Sequence, residues 1–231
     1  MDENKRRDNM NYKPKTYLPF LFDFEREIVE KFGIKETKRP VIAISGFSGV
    51  GKTIHGKLLK KKIEKRLGIK LKIWESGEIM REIAKKFGYD DVKNFIKNFK
   101  NDKKLGEMDR RIERETLEKM ILEGGIFIGR MTCFVAGKWG FKIWIEASPL
   151  KIAERLSKDP KRIEFGVSIE KIRRIVEERN RIDEIRLERI YGIKFEEVKK
   201  VVDLIVNNDE DLEEVSEKIF KRVLSFLRPY I

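Results

Sequence analysis

Sulfur and imidazole are almost missing from this chain, whose 231 residues include one cysteine, Cys133, and one histidine, His55. A single cysteine excludes a disulfide framework, and the two residues together supply too few ligands for a structural zinc site. Ser-His-Asp and Cys-His catalysis have little material to work with. No apolar run approaches the roughly 20 residues needed to cross a bilayer. The segment Met1-Asp2-Glu3-Asn4-Lys5-Arg6-Arg7 leads into no hydrophobic signal core. A cytoplasmic protein with no membrane partner is therefore expected. Its chemistry must rest on Lys, Arg, Asp, Glu and backbone groups.

Charge, by contrast, is plentiful. Lys and Arg number 53 against 40 Asp and Glu, for a formal net charge of +13, and charged and hydrophobic residues each make up 40%. That balance argues against disorder throughout and for one substantial core. A basic chain invites a nucleic-acid reading, so the distribution matters. Residues 40–80 hold nine basic and three acidic residues, mostly between Lys57 and Lys72, whereas residues 201–231 hold four and seven. The first stretch reads as a lysine-rich solvated helix face, and nucleic acid is the weaker expectation for a partner. Dense interleaving of both signs suits surface ion-pair networks. Nothing in the sequence sets an oligomeric state.

Residues 1–39 read as an N-terminal extension with one short helix from Leu21 to Phe32, and residues 40–231 as a single domain. Short apolar runs predict buried strands at Val41–Ser45, Ile69–Trp74, Ile126–Ile128, Phe141–Ala147 and Val201–Val206. Helical patterns fill the intervals: Lys52–Leu67, closed by Gly68; a segment from Pro149; Ile169–Ile190, ended by Gly192; and Leu212–Leu227. Residues 77–122 read as a helical insertion with breaks at Gly88, Asn101-Asp102 and Gly106. Lys158–Gly166 is a charged loop. Strands alternating with helices predict an α/β fold of three layers, with about five parallel strands covered on both faces.

The turn after the first strand carries the chemistry. Gly46-Phe47-Ser48-Gly49-Val50-Gly51-Lys52-Thr53 fits GxxxxGK[ST], and it stands between a predicted buried strand and a predicted helix, as a phosphate loop requires. Glycines let successive amides face one phosphate, and the helix N-terminus adds its dipole. Lys52 can bridge the β- and γ-phosphates, and the Thr53 hydroxyl can hold Mg²⁺. A nucleoside triphosphate is the expected ligand.

Other stretches follow in a telling order: Ser76-Gly77-Glu78-Ile79-Met80-Arg81 after strand two, Met108-Asp109-Arg110-Arg111 late in the insertion, and Gly129-Arg130 after strand three. Next come Ala153-Glu154-Arg155-Leu156, then Arg179 through Arg186 to Ile190-Tyr191-Gly192-Ile193, then Val202-Asp203-Leu204-Ile205-Val206. Together they resemble the cytidylate kinase family, particularly its archaeal form, over roughly residues 40–227. The resemblance implies a P-loop kinase fold with an acceptor-binding insertion near 77–122 and a short lid near 156–170. It implies phosphoryl transfer from ATP, with Mg²⁺, to a nucleoside monophosphate, CMP or dCMP first. Arg81, Arg110 and Arg130 match positions that grip the acceptor phosphate, Asp109 one that orients them or meets the acceptor. Arg155, Arg179 and, less closely, Arg186 match lid-side positions over the triphosphate. An arginine set is what such a reaction needs, since catalysis is positioning and neutralisation of charge without a covalent intermediate.

One departure is notable. Many cytidylate kinases place Glu or Asp immediately before the Gly-Arg pair to orient hydrated Mg²⁺; here that residue is Ile128. Glu75, Glu78 and Glu123 are the carboxylates that could take the part. Two other readings stand beside the first: a P-loop kinase for another small acceptor, and a nucleotide-binding regulatory or nucleic-acid-associated protein with weak catalysis. His55 is expected to pack or to sit at the surface, and Cys133 to be a buried small hydrophobe.

Overall fold

The computed structural model describes residues 19–86, 88, 102–160, 164–194, 197 and 200–231, apart from the side chains of residues 19, 20, 102–105, 183, 186 and 187. Five strands form one parallel sheet: β1 (Val41–Gly46), β2 (Ile73–Glu75), β3 (Gly125–Ile128), β4 (Phe141–Glu146) and β5 (Leu204–Asn207). Their spatial order is β2-β3-β1-β4-β5, so β1 lies at the centre and is buried at all six residues. Burial on both sides explains its unbroken apolar run, because a parallel sheet is covered by helices on each face.

The two-residue period of a strand divides the core. Ile42 and Ile44 of β1 point into one layer with Leu59, Ile63, Ile126, Ile143, Val215 and Ile219. Val41 and Ala43 point into the other with Trp74, Phe127, Phe134 and Trp144. The first layer is sealed by α2 (Lys52–Leu67) together with the last helix, the second by the long helix of the insertion and by α1 (Pro19–Phe32). Leu21 and Ile28 of α1 are 0% and 4% exposed, and Glu25 accepts a 2.9 Å bond from Trp139 Nε1. Each buried aliphatic side chain of this kind contributes about 1.5–3 kcal/mol.

The remaining helices, in chain order, are α3 (Ser76–Lys86), α4 (Asp102–Glu123), α5 (Thr132–Ala136), α6 (Pro149–Lys158), α7 (Ile169–Tyr191) and α8 (Leu212–Leu227). Among the described residues no helix is long and apolar enough to cross a membrane. Several bounds differ from the sequence reading. β2 starts at Ile73 rather than Ile69, because it is an edge strand whose ladder begins only where β3 offers Ile126. β5 starts at Leu204 rather than Val201 and runs on to Asn207, the partner of Glu146. Just ahead of it, the Asp203 carboxylate takes the Lys142 backbone N–H at 2.7 Å. Gly106 does not break the insertion but lies within α4, where a glycine costs only about 1 kcal/mol. The break expected at Asn101 lies outside the described residues. Helix α5 is a buried five-residue turn with no signal of its own, hidden in the apolar run after Arg130.

The lysine-rich face is paired within the molecule at Lys62, Arg66 and Lys72. Lys62 binds Glu213 and, at 3.0 Å, Glu217 of α8, while Arg66 forks onto Glu217 at 2.7 and 3.0 Å. Lys72 lies 3.5 Å over the Trp74 ring. The Glu217 carboxyl is held down at about 2, first by its hydrogen bond to Arg66 and then by Lys62. The opposite charges of residues 40–80 and 201–231 therefore meet across the α2–α8 seam.

Candidate active site

Ligands of open parallel sheets bind outside the carboxyl ends of the strands, and there a cavity of about 840 Å³ opens. One wall is the turn from β1 into α2. Its glycines are imposed by space and by backbone: Gly49 has φ +82° and a Cβ there would lie 2.5 Å from Ile152 Cγ2, and Gly51 has φ +96° with 2.6 Å to Asn208 Nδ2. Only glycine adopts these conformations without strain. Lys52 folds back so that its Nζ donates to Gly46 O at 2.9 Å and Phe47 O at 2.6 Å, a strap across the loop. No side chain caps α2, which leaves its first amides to an anion.

The cavity is lined by Lys52, Thr53, Glu75, Asp109, Arg130 and Arg155 among others, so the loop, the end of β2, α4, the β3–α5 turn and α6 converge. Of the expected loop residues, Ser48, Gly49, Gly51, Lys52 and Thr53 line it; Gly46, Phe47 and Val50 support it from behind, Val50 being 1% exposed. Arg155 donates to the Asn208 carbonyl, while its Nη1 is buried with no hydrogen-bond partner among the described residues. The other arginines stand back. Arg81 is exposed, its guanidinium over Gly77, and Arg110 is exposed on α4. Arg179 reaches Glu164 Oε1 at 3.4 Å and does not line the cavity. The side chain of Arg186 lies outside the described residues.

Two residues of the wall went unread in the sequence. Glu113, one turn beyond Asp109, is buried with it at 7% and 6% exposure and lines the cavity. The i, i+4 spacing on α4 was the available signal. Asn208, one residue past β5, is 2% exposed. Its partner is His55, fully buried, with Nε2 at 2.8 Å from Asn208 Oδ1. Burial lowers the imidazole below its ordinary range, against the pull of the Asn208 hydrogen bond and with help from the nearby Arg155 charge. Of the carboxylates offered in place of an acid at Ile128, Glu75 lines the cavity, and Glu78 and Glu123 do not. Glu75 is the register partner of Ile128 on the neighbouring strand. Cys133 is sealed beneath the sheet, and burial pushes its thiol up to about 12, out of reach of nucleophilic chemistry near neutral pH.

A five-stranded parallel sheet in this order, with a lysine-strapped phosphate loop after its central strand, defines a P-loop kinase. The shape has solved counterparts. A shikimate kinase from Bacteroides thetaiotaomicron matches with a TM-score of 0.55 at 17% identity, over 82% of this chain and 98% of that one. An uncharacterised protein from Eubacterium ventriosum matches at 0.56 and 17%, over 80% and 98%. At such identity the likeness is one of fold. No family model matches the chain. Curated relatives do: the cytidylate kinase of Pyrococcus horikoshii is 31% identical over 192 residues, 82% of this chain and 90% of that protein. The cytidylate kinase of Methanopyrus kandleri is 30% identical over 197 residues, 80% of this chain and 92% of its own. The chain belongs to the cytidylate kinase family.

Proposed function

We propose that the protein transfers the terminal phosphoryl group of ATP to a nucleoside monophosphate, CMP or dCMP, releasing ADP and the nucleoside diphosphate. The observation that carries this reading is the single cavity shared by Lys52, Thr53 and Arg155 on one side and Arg130, Asp109 and Glu113 on the other. One void that large holds two phosphate groups end to end, as in-line transfer demands. Lys52 leaves its carbonyl strap to neutralise the β- and γ-phosphates. Arg130 grips the acceptor phosphate, and Arg155, which lines the same cavity, neutralises the transferred group. Arg81, Arg110, Arg179 and Arg186 join the substrates only as the insertion and the segment near 156–170 close over them, Arg179 by exchanging Glu164 for phosphate.

Oxygen donors at the mouth of the loop suit Mg²⁺: the Thr53 hydroxyl and the Glu75 carboxylate, the latter in place of the acid absent at Ile128. Bound there, the ion supplies neutralising charge between the phosphates. The buried carboxyls of Asp109 and Glu113 support a cytosine acceptor, because a carboxyl oxygen accepts from an exocyclic amine that cytosine carries and uracil lacks. An ADP-release assay with Mg²⁺ over CMP, dCMP, UMP, AMP, GMP and non-nucleotide hydroxyl acceptors tests the reading. CMP and dCMP are expected to lead; turnover with no monophosphate would sink it.

A further inference from the structure

We infer that Asn208 is a positioning residue that fixes the phosphate loop and Arg155 at a set distance from one another, and that His55 locks Asn208 in the orientation this requires. Three groups of different elements meet at Asn208. Its Nδ2 donates to Val50 O of the phosphate loop at 2.8 Å. Its backbone carbonyl accepts from Arg155 of α6. Its backbone N–H donates to Glu146 O of β4 at 2.7 Å, which ties the residue to the sheet. Because the side chain and backbone of one residue hold the two partners, the loop and Arg155 cannot move apart independently.

The hydrogen-bond chemistry fixes every proton in this chain. A backbone carbonyl only accepts, so the amide nitrogen of Asn208 must face Val50 and its oxygen must face His55. That oxygen only accepts, so His55 Nε2 carries a hydrogen and donates. A flipped amide would set Oδ1 against Val50 O and leave two buried acceptors in opposition. Packing closes the remaining freedom, since Gly51 presses on Asn208 so closely that a Cβ at Gly51 would stand 2.6 Å from Nδ2. His55 is itself fully buried one turn into α2, the helix whose N-terminus forms the floor of the loop. The outcome at the cavity is an Arg155 that lines it while its guanidinium is anchored through Nη2.

This inference rests on the proposal that the loop takes ATP, and its test does not require the acceptor to be known. Binding of a non-hydrolysable ATP analogue with Mg²⁺ is measured by calorimetry, alongside kinetics with CMP and thermal melting. Removing one donor from a buried hydrogen bond is expected to weaken the analogue in Asn208→Ala and in His55→Leu by about ten- to a hundredfold. In CMP kinetics the loss falls on the KM for ATP and on kcat, with the KM for CMP unchanged. His55→Gln, which keeps a donor at comparable reach, restores binding to within about threefold of the parent, and the Asn208→Ala/His55→Leu pair is no weaker than Asn208→Ala alone. Analogue binding unchanged in both single variants despite a lower melting temperature would overturn the inference and leave Asn208 and His55 as packing residues. A double variant whose losses multiply would overturn the lock by His55. Parent protein that binds the analogue yet phosphorylates no monophosphate overturns the proposed acceptor and leaves this inference standing.

Discussion

The two walls of the cavity are built on different principles. The wall proposed for the triphosphate is a run of eight consecutive residues, Gly46–Thr53, whose backbone makes the cradle and whose glycines have no room for a side chain. The wall proposed for the acceptor draws on Glu75, Asp109, Glu113 and Arg130, contributed by a strand end, a helix and a turn. Backbone amides are in place before a ligand arrives and cost little reorganisation. On the proposed reading, long side chains such as Arg81 and Arg110 must instead be gathered from exposed positions, losing rotamer entropy on binding. The backbone cradle of the first wall is thus preformed and the arginine set of the second conditional, which suits an enzyme that should not hydrolyse ATP before its acceptor is present.

Substitutions on each wall should therefore fail differently. Lys52→Ala removes both the strap to Gly46 O and Phe47 O and the cation for the phosphates, and a drop in kcat of about a thousandfold is expected with the fold retained. Circular dichroism checks the fold and ADP release the rate; comparable rates in variant and parent would reject the phosphate-loop mechanism. Arg130→Ala should act on the other side. Loss of a guanidinium fork on the acceptor phosphate predicts about a hundredfold lower kcat/KM for CMP, with ATP-analogue affinity within about twofold of the parent. Equal losses for both substrates would mean that the two walls are not separable.

The same contrast governs what could be read from the sequence. A cradle made by consecutive residues leaves its signature in consecutive letters, and the loop, its strand and its helix are found where the motif puts them. The parallel sheet was within reach too, because strands buried on both faces read as apolar runs, but the order of its strands was not. Asn208 and His55 lie 153 residues apart and meet only through the order of β1, β4 and β5, so no local pattern announces them. In the basic run from Lys57 to Lys72, Lys57, Lys61, Lys65 and Lys70 are exposed as a solvated face requires, whereas the partners of Lys62 and Arg66, Glu213 and Glu217, come from a distant helix that a charge count along the chain cannot pair with them.

Glu75 tests the junction of the walls and should give the smallest effect. It stands at the end of β2, in register with Ile128, the position on the adjacent strand at which an acid is expected from the family resemblance. Moving a carboxylate one strand sideways keeps it on the same face of the sheet, since register partners in a parallel pair project alike. Glu75→Gln keeps the volume and removes the charge, so the expected result is about tenfold weaker Mg²⁺ dependence of nucleotide binding, with metal-free nucleotide affinity unchanged. Titration of Mn²⁺ into protein with the ATP analogue, followed by electron paramagnetic resonance, reads this without turnover. If the variant holds Mn²⁺ as tightly as the parent, Glu75 does not replace the missing acid, and Thr53 is left as the protein's one proposed donor to the ion.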